Sequence, residues 1–71
     1  MANDIFVKFG RRLHHLRTER GWHQEYLAEV SGIGRDHISQ LENFRREAGL
    51  RMLETLASTF GITAAQLFEG V

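Results

Sequence analysis

The sequence predicts an all-α fold, a compact five-helix globule in a single domain spanning residues 1–71. Three observations carry that expectation. Apolar residues recur three and four positions apart, as in Phe9, Leu13 and Leu16 and again in Leu50, Leu53, Leu56, Ala57 and Phe60, which is the period of a half-buried helix. No segment alternates cleanly between apolar and polar residues over six positions, so strands are not expected. Proline is absent, and seven glycines divide the chain into short stretches, as helix-ending residues do.

Taken in order, Asn3 or Asp4 can cap a first helix that runs to about Arg20 and is ended by Gly21. A second helix is expected from Gln24 to Val30, interrupted by Ser31-Gly32-Ile33. A third runs from about Arg35 to Asn43, with Ile38 and Leu41 facing inward. A loop from Phe44 to Ala48 or Gly49 leads to a fourth helix from Leu50 to Phe60, stopped by Gly61. Thr63 can cap a last short helix through Phe68.

Composition narrows the function classes. A chain of 71 residues builds one small core. With no cysteine it has neither a disulfide framework nor a thiolate-ligated zinc site. No apolar run exceeds three residues, as at Ile5, Phe6 and Val7, so neither a membrane span nor a secretory leader is expected. A cytoplasmic protein is anticipated. Nine basic and nine acidic residues give a formal charge of zero, which argues against a general polyanion binder. The distribution is uneven, however. Residues 1–20 carry Lys8, Arg11, Arg12, Arg17 and Arg20 against Asp4 and Glu19.

The informative stretch is residues 24–43, QEYLAEVSGIGRDHISQLEN. Ala28 is small enough to let a second helix cross closely at a steep angle. Gly32 stands where the chain must reverse, and a positive φ is cheap only for glycine. Leu27, Ile33, Ile38 and Leu41 are the apolar anchors between the two helices. This pattern fits a DNA-reading helix-turn-helix, with a plain helical hairpin as its competitor.

Over residues 9–68 the chain resembles the Cro/C1-type (XRE-like) helix-turn-helix domain, through FGRRLHHLRTERGWHQEYLAE, SGIGRDHISQLEN and LETLASTFGITAAQLF. It is most similar to small controller proteins of restriction–modification systems and to compact phage-type repressors. The resemblance implies that the helix from Arg35 is the recognition helix, with its early turns in the major groove of double-stranded DNA. Arg35, Asp36, His37, Ser39 and Gln40 are then its base-facing residues. Arg35 can fork onto guanine, Gln40 can pair with adenine or a phosphate, and Asp36 can accept from cytosine or orient Arg35. Gln24, Asn43, Arg45 and Arg46 are the implied phosphate contacts, and Arg17 with Glu42 is the implied structural ion pair. The chain departs from the family pattern in four places. His23 and Gly34 stand in place of the usual N-cap serines, and Ala48 in place of a proline. Phe44 replaces a glycine, so that Asn43 is expected to take the left-handed conformation.

Other features have plainer readings. His14 and His15 are adjacent and diverge by about 100° on a helix, and no HExxH pattern or cysteine ligand exists. No metal, cofactor or small-molecule effector is therefore expected. Trp22 is expected to cover the core and Tyr26 to lie near the surface, while Arg11, Arg12 and Arg20 suit either solvent or DNA. No catalytic constellation is visible, so an enzyme is not expected. Phe60, Ile62, Leu67, Phe68 and Val71 form an apolar cluster too large for so small a core, which suggests a homodimer interface. The reading is a sequence-specific transcriptional regulator acting as a homodimer on an inverted-repeat operator. The alternative is a protein-interaction module of the same fold, an antitoxin or adaptor, using that C-terminal apolar surface.

Overall fold

The computed structural model describes residues 4–71, and its secondary structure is five helices. Helix α1 (Ile5–Glu19) begins at Asp4, whose carboxylate accepts the Phe6 amide proton at 2.8 Å. Asn3, the other expected cap, lies outside the described residues. Gly21 at φ 72° ends α1, where the Gly21 and Trp22 amides donate back to the Thr18 and Arg17 carbonyls. Helix α2 (Gln24–Ser31) runs one residue past the expected end and closes on Gly32 at φ 75°. Helix α3 (Arg35–Glu42) follows the turn. Helix α4 (Leu50–Phe60) has the expected limits, and α5 (Ala64–Leu67) is fixed by a capping box between Thr63 and Gln66.

The loop after α3 differs from expectation. Asn43 keeps an ordinary φ of −97°, and Phe44 takes the left-handed conformation at φ 65°. A non-glycine residue in that region costs about 1–3 kcal/mol, so something must hold it there. The Phe44 and Arg45 amides donate to the Leu41 and Gln40 carbonyls at 3.2 and 2.9 Å, the pairing that a glycine usually supports after a helix. The Phe44 ring also lies over Gly10 of α1, so close that a Cβ at Gly10 would stand 2.6 Å from it. The missing side chain on α1 accommodates the ring, and contact with α1 selects the backbone conformation.

Leu13, Leu27, Ile38, Leu41, Leu56 and Leu67 are fully buried, drawing all five helices onto one core. Ala28 packs partly buried against it. Trp22 stacks on Phe60 at 5.6 Å and meets Tyr26 edge-on at 5.1 Å, while Tyr26 itself is exposed. Two of the arginines left open between solvent and DNA are occupied within the fold. Arg12 donates to the Gln66 and Leu67 carbonyls at 2.7 and 3.3 Å, closing the end of α5. Arg20 lies 4.9 Å over the Phe60 ring and 5.9 Å over Trp22, and it donates to the Leu16 and Phe60 carbonyls. Arg11 remains exposed.

The apolar C-terminal cluster divides in two. Phe60 and Leu67 belong to the chain's own core and have no area to offer a second copy. Ile62, Phe68 and Val71 are half-buried. Nearby, Phe68 lines an apolar hollow of about 200 Å³ with Ile5, Phe6 and Leu53, rimmed by Arg46 and Glu47. Among the described residues no helix is long and apolar enough to cross a membrane.

Candidate nucleic-acid interface

Helix α3 turns Ile38 and Leu41 into the core and leaves Arg35, Asp36 and Gln40 exposed, with Ser39 half-buried between them. This division follows from the helical period, since the two inward residues lie three apart. Arg35 and Asp36 form no ion pair within 4 Å, so the option in which Asp36 orients Arg35 is not taken. Arg46 reaches back from the following loop to donate to Gln40 at 3.1 Å, and Asn43 donates to Ser39 at 3.3 Å. These two bonds tie the loop to the polar edge of α3. Arg45 is exposed beside them.

His37 sits differently from its neighbours. Its Nε2 is buried and has no hydrogen-bond partner among the described residues. Burial, reinforced by the nearby Arg46 charge, holds its pKa below the ordinary imidazole value. The ring is folded onto the protein, and that nitrogen is not displayed as a donor.

Neither α2 nor α3 has a side-chain N-cap bond, since His23 and Gly34 stand at those positions. The first-turn amides of both helices are therefore unclaimed by a capping side chain, and a helix start is favourable ground for an anion.

Behind this edge lies a buried polar cluster. Arg17 forks onto Glu42, Nε to Oε2 at 2.7 Å and Nη2 to Oε1 at 2.8 Å, and its Nη1 donates to the Trp22 carbonyl at 2.7 Å. Gln24 donates to Glu42 Oε1 at 3.2 Å, and His14 Nδ1 lies 3.1 Å from the same oxygen. Burial raises the Glu42 pKa, but hydrogen bonds from Arg17, His14 and Gln24, with the Arg17 charge, outweigh it and hold the carboxyl below its usual range. The hydrogen bond to Glu42 raises the Arg17 pKa against the opposing effect of burial. The cluster joins α1, α2 and α3, so Gln24 is oriented by the pair that fixes α3. Sequence reading gave His14 no role here. Its spacing three residues before Arg17, on the same helix face, was the available signal.

Residues 13–67 match the helix-turn-helix family model. The chain belongs to the Cro/C1-type helix-turn-helix family. Members are DNA-binding regulators, and this helix-turn-helix protein is a transcriptional regulator. It is 42% identical over 65 residues to the HTH-type transcriptional regulator DdrOP3 of Deinococcus deserti, spanning 92% of this chain but 50% of that relative. It is 36% identical over 70 residues to the control protein C.MunI of a Mycoplasma species, covering 97% of this chain and 95% of the relative. The solved restriction-modification controller protein C.AhdI from Aeromonas hydrophila superposes with a TM-score of 0.85 at 40% identity, over 89% of this chain and 96% of that one.

Proposed function

We propose that this helix-turn-helix regulator binds double-stranded DNA sequence-specifically as a homodimer on an inverted repeat, as a controller of restriction–modification genes. The observation that carries the reading is the polarity of α3. Its buried side is locked to α1 and α2, and its opposite side offers Arg35, Asp36 and Gln40 to solvent. An exposed arginine at the start of a helix has the planar donor fork that guanine O6 and N7 accept. Asp36 suits cytosine N4, Ser39 either groove partner, and Gln40 remains available on its amide side while its oxygen holds Arg46. His37 contributes through ring contact rather than through its buried nitrogen. Gln24 at the uncapped start of α2, with Asn43, Arg45 and Arg46 beyond α3, holds the phosphates.

A dimer supplies the affinity that a formal charge of zero does not. Its surface comprises Ile62, Phe68 and Val71, continued from Phe68 by Ile5 and Phe6 across the apolar hollow. The likeness to control protein C.MunI over nearly the full length of both chains supports the controller role. Fluorescence anisotropy on a duplex enriched from a randomised pool tests the reading. Arg35→Ala is expected to cost about 1–3 kcal/mol and to relax preference at one base position. An Arg35→Ala protein with unchanged affinity and preference would remove α3 from the groove.

A further inference from the structure

We propose that His14, with Arg11 beside it, is a further phosphate contact that extends the DNA track from the start of α2 across α1. The inference rests on the DNA-binding reading above and adds a surface outside the helix-turn-helix itself.

An open groove runs between α1 and the end of α3, lined by Arg11, His14, His15, Thr18, Asn43 and Phe44, with Glu42 at its base. Glu42 is the acidic residue of that lining, and its oxygens are engaged by Arg17, Gln24 and His14. His15 is turned to Glu19 at 3.3 Å. Beside the exposed Thr18, Asn43 and Phe44, the groove presents to solvent the Arg11 guanidinium and the His14 ring, whose side chain is 58% exposed. His14 and Gln24 reach the same oxygen of Glu42. The ring is thus a neighbour of the side chain proposed to meet a phosphate, and Asn43 borders it on the other side.

The proton arrangement favours a donor facing outward. His14 Nδ1 lies 3.1 Å from Glu42 Oε1 and 3.2 Å from Arg17 Nη2. Arg17 keeps its protons, and one N–H of Nη2 is aimed at Nδ1 while the other serves Glu42. In the tautomer that accepts from Arg17 at Nδ1, the ring carries its proton on Nε2, the nitrogen on the far side from the buried pair. A protonated ring donates from Nδ1 to Glu42 and still holds Nε2–H. With its proton on Nε2, His14 offers an outward N–H. The charged groups facing it are Arg17 and Arg11 on α1 and Glu42 on α3. From α2 it meets the uncharged Gln24.

The test is binding of the full chain to two probes, a duplex enriched from a randomised pool and a scrambled duplex, across salt concentration. His14→Gln is expected to weaken both complexes roughly three- to tenfold and to lower the salt slope by about one. The loss is the same on both probes because phosphates carry no sequence. His14→Lys, which places a cationic donor at this position, is expected to hold affinity and slope, and it decides the matter should the Gln variant melt early. Unchanged affinity and slope for a folded His14→Gln protein, or a loss for His14→Lys as large as any seen with Gln, overturns the inference and leaves the DNA reading standing. A wild-type chain that binds neither duplex overturns both.

Discussion

Replacing Arg17 by methionine removes the cation from the buried cluster while roughly keeping its volume. The side chains of Arg17 and Glu42 are 10% and 5% exposed, so the carboxylate left behind is out of solvent's reach. It would keep Gln24 and His14 as partners but lose two bonds shorter than 3 Å, and the Trp22 carbonyl would lose its donor as well. Breaking one side of such a pair costs about 3–5 kcal/mol. A domain of this length has roughly 4–11 kcal/mol of stability in all. The midpoint of thermal unfolding, followed by circular dichroism, is thus expected to fall by roughly 12 °C or more. Adding Glu42→Leu removes the stranded charge, and the double variant is expected to be more stable than Arg17→Met alone. A single variant within about 1 kcal/mol of wild type, or a double variant whose loss equals the sum of the two singles, would refute the claim that the pair is buried and coupled.

Three further outcomes are expected. Because Glu42 titrates below its unfolded value, its contribution is present above the ordinary carboxyl range and is lost as pH falls through the depressed folded pKa; urea midpoints should show that acid-side loss in wild type and lack it in Glu42→Gln. Gly10→Ala would gain about 1 kcal/mol from helix propensity, but the new Cβ would meet the Leu41 carbonyl and the Phe44 ring at 2.6 Å. A net loss of about 1–3 kcal/mol is expected in denaturant titration, and a stabilised variant would show that the Phe44 ring does not rest there. His37 has a folded pKa below 6.5, so the unfolded chain takes up the proton first and stability declines as pH drops below that value; His37→Phe should flatten this limb of the melting profile.

Most of the fold was legible because its punctuation is local. Asp4, Gly21, Gly32, Gly61 and Thr63 act within a few residues of themselves, and the helices end where they direct. The features that were not legible depend on distant partners. Phe44 takes the left-handed conformation through contact with Gly10, which propensity for Asn43 could not reveal. Arg12 and Arg20 serve carbonyls 54 and 40 residues away, so their charges pointed equally to solvent and DNA. Leu67 is not distinguished in sequence from Ile62 and Val71, and only packing separates core from surface. On α3 the helical period separated the inward face from the outward one, but it did not show that His37 would fold one nitrogen against the protein.

The most direct test is guanine N7 methylation interference on the enriched duplex. Two symmetric patches of major-groove interference are expected, centred about one helical turn (~34 Å) apart, each weakened by Arg35→Ala. Interference confined to one patch, or tight binding indifferent to major-groove methylation, would contradict paired α3 helices reading the two halves of an inverted repeat.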